Sequence, residues 1–208
     1  MIDLYYYIPI NDVEYVVDCG LKLSKWFDRE ELIEGQYKKC ITALLNPKDD
    51  IEKYNSEHLV CVKLEVEPEH CFVGDKYLFN TGLRDPEIMI LYRESIIPVK
   101  DYIFGSYRLP ECLVTTTVIG GNISILNKNI DSPVLFNNSE ELYINNILEY
   151  YKETEEDFCN TALYYYHMKL VECGKFRKFE DVNNRTTIFI DNFSGKPFIF
   201  KVPDLSYY

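Results

Sequence analysis

Apolar and polar residues alternate most regularly over residues 58–67, in the order His-Leu-Val-Cys-Val-Lys-Leu-Glu-Val-Glu. The even-numbered residues from Val60 to Val66 are apolar and share one face of a predicted strand, because side chains alternate between the two faces of a strand. Aromatic and β-branched residues at 5–8 predict an N-terminal strand that ends at Pro9, which has no N–H to donate to a ladder. Both segments indicate a sheet with one buried face.

A short helix should follow the N-terminal strand. Asn11 and Glu14 have the spacing of a capping box, and Gly20 stands where a left-handed residue ends a helix. The remaining patterns predict a helix at 28–34, helices opening at Ser139 and Thr154, strands at 40–45, 71–73, 86–92, 110–119 and 123–126, and a final hairpin of 187–190 with 198–202. Gly120-Gly121-Asn122 is typical of a hairpin turn before the strand at 123–126.

This order of elements predicts the α+β class, with a mixed, largely antiparallel sheet or sheets and short helices. The length of 208 residues suits a single domain. We expect a core over residues 1–130 and a helical and β-hairpin extension over residues 131–208, packed on that core.

The chain is acidic, with a formal net charge of −12. An extensive nucleic-acid surface is therefore not expected, since such a surface needs a basic face. No apolar run is long enough to span a bilayer and no signal peptide is evident, so no membrane partner is expected.

Seven cysteines occur at irregular spacings without any C-x-x-C pair. Free thiols in a reducing compartment are the simplest explanation, which predicts a cytoplasmic protein. The three histidines form no metal-ligand spacing with these cysteines, so no zinc site is expected. Phosphate-binding loops, dinucleotide fingerprints, nucleophile elbows and HExxH motifs are also absent from the sequence.

The first half of the chain resembles the ADP-ribosyltransferase-like fold, most closely the DarT-type DNA ADP-ribosyltransferases. The likeness rests on the aromatic strand at 5–8, the short helix ending in Gly20-Leu21, and Glu87 at the start of the apolar stretch Pro86–Ile90. Tyr6 stands where that family has its NAD-binding histidine, and Ile8-Pro9 stand where it has Thr-His.

The resemblance implies an ADP-ribosyltransferase-like core over residues 1–130 and NAD as a substrate, with ADP-ribose passed to a macromolecular acceptor. It implies Glu87 as the catalytic carboxylate, with Tyr6 and Arg84 as cofactor-binding residues. Cleavage of the glycosidic bond of NAD develops positive charge on the ribose, which a neighbouring carboxylate stabilises. Glu111, in a second Pro-Glu segment, is the reserve candidate for that carboxylate.

Other interpretations compete with this one. Glu87 and Glu111 can also be interpreted as solvated carboxylates at the ends of strands, and Arg84 as a charged residue of a surface loop. A second hypothesis is a binding module that kept the scaffold and lost the chemistry. A third hypothesis is an assembly protein with a tyrosine-rich interface, for example at Tyr164–Tyr166.

Overall fold

A computed structural model describes residues 1–127, 136–154 and 156–204. The fold is α+β with largely antiparallel sheets and short helices, which confirms the predicted class. The chain divides into two compact units, Met1–Asn146 and Ile147–Tyr208.

The described residues of the first unit include eight strands, the first of which contains the N-terminal tyrosines. The strands are β1 (Ile2–Pro9), β2 (Arg29–Ile33), β3 (Gln36–Ala43), β4 (Leu59–Val66), β5 (Cys71–Asp75), β6 (Ile97–Pro98), β7 (Pro110–Val114) and β8 (Ile123–Ile125). The helices are α1 (Val13–Cys19), α2 (Leu23–Trp26), α3 (Ile51–Asn55), α4 (Lys76–Gly82), α5 (Pro86–Ser95) and the start of α6 (Ser139–Thr154).

These strands form two antiparallel sheets, in the orders β1-β4-β8 and β2-β3-β7-β5-β6. Their buried faces share one core, to which Leu4 of β1, Leu64 of β4 and Val114 of β7 belong. Tyr5 and Leu44 exchange two backbone hydrogen bonds of 2.9 and 2.8 Å, which fixes β1 beside the end of β3. The N-terminal tyrosines therefore lie next to the larger sheet.

The second unit contains α7 (Glu156–Glu172) and an antiparallel meander of β9 (Phe176–Asp181), β10 (Thr186–Asp191) and β11 (Pro197–Lys201). The predicted final hairpin is confirmed as β10 and β11. His167 of α7 is buried against aromatic rings of the meander, such as Phe200 with its ring centroid 4.8 Å away. The predicted capping role of Thr154 lies outside the described side chains. Among the described helices, none combines the length and apolar character needed to cross a bilayer.

The secondary structure predicted from local propensity alone is wrong for two segments. Residues 28–34, predicted as a helix, contain β2, because Glu34 and Gly35 both adopt positive φ angles of 52° and 77° and form the turn of a hairpin. Residues 86–92, predicted as a strand, form most of helix α5. The Asp85 carboxylate accepts a hydrogen bond of 3.0 Å from the Glu87 N–H, and Pro86 occupies the first turn, so this segment has a regular helix start.

Two turn predictions are also corrected. The Asn11–Glu14 capping box does not form, because a short 3-10 turn separates β1 from α1 and the helix begins at Val13. Residues 123–125 do form a strand, but it pairs with β4 and not with β7. Gly120-Gly121-Asn122 therefore carries the chain from one sheet to the other.

That crossing brings two glycines into close contact with backbone. A Cβ on Gly20, whose φ is +79°, would lie 2.3 Å from the Val118 carbonyl oxygen. A Cβ on Gly120 would lie 2.3 Å from the Val17 carbonyl oxygen. The end of α1 can approach this turn only because both positions lack side chains.

We predict that Gly120→Ala lowers the free energy of unfolding by about 1–3 kcal/mol, because the new methyl group must displace backbone and not a flexible side chain. Gly121→Ala is the matched control, since a Cβ there meets no atom within 4 Å. Urea unfolding of both variants measures the difference. Equal stabilities would contradict the close crossing of α1 and the turn.

Candidate functional site

A hollow of about 150 Å³ opens beside the N-terminal tyrosines, between the two sheets of the first unit. The residues that line it come from β1 (Tyr5, Tyr6, Tyr7), from the start of β2 and the residue before it (Asp28, Arg29), from the end of β3 and the residue after it (Thr42, Ala43, Leu44), from α3 (Lys53), from α4 (Lys76, Phe79, Asn80) and from β7 (Glu111). The hollow therefore collects three cationic side chains in a chain whose acidic residues outnumber basic ones by 34 to 22.

The deepest charged group of the hollow is Glu111, which is only 2% exposed. Its Oε1 accepts hydrogen bonds from the Arg29 guanidinium and, at 2.9 Å, from the Tyr92 hydroxyl. Arg29 also donates to the Tyr92 hydroxyl oxygen at 2.6 Å and forms a 3.2 Å ion pair with Glu31 through Nε. The Phe79 ring covers the guanidinium at 3.8 Å. The result is a buried polar network with two carboxylates and a single guanidinium.

The network perturbs the acid–base properties of its members. Burial lowers the pKa of Arg29, but the charge and hydrogen bond of Glu111, together with the charge of Glu31, raise it by more, so that it lies above its ordinary value. Burial also raises the pKa of Glu31, against the opposing effect of Arg29. Burial and then the charge of Glu111 raise the pKa of Tyr92. Tyr92 therefore keeps its proton and acts as a donor to Glu111.

A third carboxylate, that of Asp28, also lies at the hollow and binds a neighbouring hydroxyl group. Asp28 Oδ2 accepts hydrogen bonds from the Thr42 N–H at 2.6 Å and from its hydroxyl at 2.9 Å. Burial, followed by the nearby charge of Asp28, raises the pKa of Tyr6 to about 12. The Tyr7 hydroxyl donates to the Pro47 carbonyl at 2.6 Å.

Two lysines at the rim give the hollow positive charge. Lys53 forms an ion pair of 3.2 Å with Asp50. Lys76, at the start of α4, has an ammonium group without an ion pair within the described part of the chain. The charge of Lys76 acts against the effect of burial on the pKa of Asp49 and helps to lower the pKa of Asp50, so both carboxylates lie within its electrostatic reach. No cluster of His, Cys, Asp and Glu suited to a metal ion occurs among the described residues.

The structure brings together some of the residues predicted from the sequence and separates others. Tyr6 lines the hollow, and so does the reserve carboxylate Glu111. Glu87 lies exposed on the first turn of α5, and Arg84 lies exposed in the turn before it; neither is among the residues that line the hollow. The roles predicted for Glu87 and Arg84 therefore have no geometric support from this hollow.

Sequence reasoning missed Arg29 and Tyr92. Both lie in segments whose secondary structure was wrongly predicted, so their positions relative to Glu111 could not be inferred. The Asp-Pro-Glu sequence at 85–87 is a recognisable helix start and would have placed Tyr92 on a helix. Arg29 has no comparable local pattern, because only the pairing of β2 with β3 brings it to the site.

We predict that Arg29→Met lowers the free energy of unfolding by about 3–5 kcal/mol, because it leaves the buried carboxylate of Glu111 without the cation that is paired with it. Arg108→Met is the control, since the ion pair of Arg108 with Glu140 (2.7 Å) lies at the surface and should matter little. Denaturant unfolding at neutral pH gives both values. A loss for Arg29→Met as small as that of the control would show that the network is solvated.

Tyr6 should make stability depend on alkaline pH. A pKa of about 12 in the folded protein, against an ordinary value of 10, means that the folded state holds this proton more tightly. The contribution of Tyr6 is therefore complete below pH 10 and is lost as the pH rises towards 12. Unfolding free energies measured from pH 9 upward should fall less steeply in Tyr6→Phe than in the wild type. An unchanged slope would contradict the buried setting of the Tyr6 hydroxyl.

Comparison of the chain with protein-family models, with curated proteins and with solved structures finds no match. A proposal of function therefore depends on the geometry of the hollow and on the resemblance of the first half of the chain to the ADP-ribosyltransferase-like fold. Two carboxylates line the hollow, the exposed Asp28 and the buried Glu111, and of these Glu111 lies in the middle of the chain.

Proposed function

We propose that the protein is an ADP-ribosyltransferase that uses NAD as its substrate and modifies a macromolecular acceptor, with Glu111 as its catalytic carboxylate. One observation carries the proposal. A buried carboxylate from the middle of the chain lies in a hollow beside the N-terminal tyrosine strand, where the resemblance requires one. The residue in that position is Glu111 and not Glu87.

The size and charge of the hollow suit one end of NAD. A volume of about 150 Å³ is below the range of roughly 300–1,000 Å³ that is usual for whole drug-sized ligands. The hollow would accordingly take a ribose and its attached ring, while the diphosphate lies at the rim. Lys76 and Lys53 at that rim provide positive charge for phosphate oxygens.

The side chains have complementary tasks in this proposal. NAD supplies a glycosidic bond whose cleavage develops positive charge on the ribose. Glu111 places a negative charge, held in position by Arg29 and Tyr92, beside that position. The Tyr6 hydroxyl is a hydrogen-bonding group for a ribose hydroxyl. The Phe79 ring shields the Arg29 guanidinium from water and so keeps its charge directed at Glu111.

A binding module without catalysis is the second candidate, and a specific observation favours it. Ile8 is fully buried in the core and Pro9 ends β1, so neither residue presents the polar groups that the resembled family has at these positions. Ligand binding without turnover would follow if those groups are indispensable for chemistry.

Measurement of nicotinamide release from NAD distinguishes an enzyme from a binding module, and it distinguishes Glu111 from Glu87 as the catalytic carboxylate. We expect slow release by the wild type, a decrease of about a hundredfold or more in Glu111→Gln, and no change in the control Glu87→Gln. Calorimetry on the same proteins should show NAD binding in all three. Binding without release in the wild type would support the module, and loss of release only in Glu87→Gln would contradict the assignment of Glu111.

The positive charge at the rim should raise the affinity for NAD. Lys76→Ala should weaken binding of NAD by about tenfold, because an unpaired ammonium at the hollow is lost. Lys39→Ala, an exposed position outside the hollow, makes the same change in net charge and should leave affinity unaltered. Calorimetric titration at fixed ionic strength measures both. No heat of binding at millimolar NAD in the wild type would contradict the proposed function itself.

A further inference from the structure

We infer that Tyr92 is a positioning residue that fixes the Glu111 carboxylate so that its second oxygen faces the hollow. The inference deepens the proposed function and rests on it for the chemistry, although the positioning itself is a structural claim. Tyr92 does not line the hollow. It acts through Glu111.

The hydrogen bonds around Glu111 are all directed at one oxygen. Arg29 and the Tyr92 hydroxyl both donate to Oε1, and Arg29 donates in turn to the Tyr92 hydroxyl oxygen. The three groups form a closed ring in which the single hydroxyl proton of Tyr92 is committed to Glu111. No described residue donates a hydrogen bond to Oε2, which leaves that oxygen for a ligand hydroxyl.

The Tyr92 ring is itself held in place by the sheet below it. Gly74 of β5 is the direct cross-strand partner of Glu111 on β7. A Cβ on Gly74 would lie 3.1 Å from Cε2 and 3.4 Å from the hydroxyl oxygen of Tyr92, so the ring rests on the space that this glycine leaves open. The ring is fully buried and meets Phe79 edge-on at 5.1 Å.

The backbone of Tyr92 is fixed as well. The Ser95 hydroxyl donates to the Tyr92 carbonyl at 2.6 Å and accepts the Asp75 N–H at 3.1 Å, which ties the end of α5 to β5. Because both its ring and its backbone are already fixed, Tyr92 can orient Glu111 without becoming more ordered when a ligand binds. Arg29 alone would balance the charge of Glu111, but its guanidinium is shared with Glu31. The Tyr92 hydroxyl, in contrast, donates its hydrogen bond to Glu111.

Tyr92→Phe tests this role because it keeps the ring and removes only the hydroxyl. We expect kcat for nicotinamide release to fall by roughly tenfold to a hundredfold while KM for NAD changes by less than about twofold, since misplacement of a reacting group lowers turnover more than binding. Tyr107→Phe is the matched control, because its hydroxyl donates at 2.7 Å to the Ser95 carbonyl of the same helix and does not contact Glu111. Its kcat should stay within about twofold of the wild type.

Crystal structures of the variants provide a readout that does not need activity. The Glu111 carboxylate should rotate away from its wild-type position in Tyr92→Phe and stay in place in Tyr107→Phe. Gly74→Ala is a second disturbance, which displaces the ring without removing the hydroxyl, and should also move the carboxylate. An unmoved Glu111 in Tyr92→Phe would overturn the inference, whether or not NAD is consumed. A wild type that releases no nicotinamide would remove the proposed function and leave the structural comparison to decide the positioning.

Discussion

A guanidinium that two buried carboxylates share constrains the first unit of this protein. Arg29 lies on the edge strand β2, whereas Glu111 lies two strands away on β7, with β3 between them. Removing charges from water is unfavourable unless they are paired and hydrogen-bonded, so these strands must keep the order and register that join the pair. The α4–α5 helices must also stay packed on β5, since Phe79 and Tyr92 complete the enclosure.

Such a network contributes little stability of its own, because the free energy of desolvation offsets much of the attraction between the charges. A packed apolar layer at the same place would serve the fold equally well. Buried charges beside a hollow are therefore better explained by interaction with a ligand than by a contribution to folding. The same hollow contains tyrosine and threonine hydroxyl groups and the ammonium groups of Lys53 and Lys76.

Local patterns predicted the parts of the fold in which side-chain alternation and turn chemistry agree. The strand at 58–67 and the final hairpin are examples, and the α+β class follows from them. The patterns failed where a segment had to be assigned from composition. Residues 28–34 are acidic and suit a helix, yet a hairpin turn and pairing with β3 make them a strand. At 86–92 an apolar run concealed the helix start at Asp85-Pro86.

The candidate site was predictable only in part, for the same reason. Tyr6 was expected at a hollow and lies in one. Glu87 was ranked ahead of Glu111, although both follow prolines in similar segments, and only the order of the strands shows that Glu111 lies at the hollow. Sheet order is a long-range property that no local pattern records. Arg29 and Tyr92 became evident only when β2, β7 and α5 were seen together.

The most direct test of the account is a crystal structure of the protein soaked with ADP-ribose. We expect a ribose hydroxyl within hydrogen-bonding distance of Glu111 Oε2, with a phosphate near the Lys76 ammonium. A hollow that stays empty, or a ligand bound away from Glu111, would contradict it.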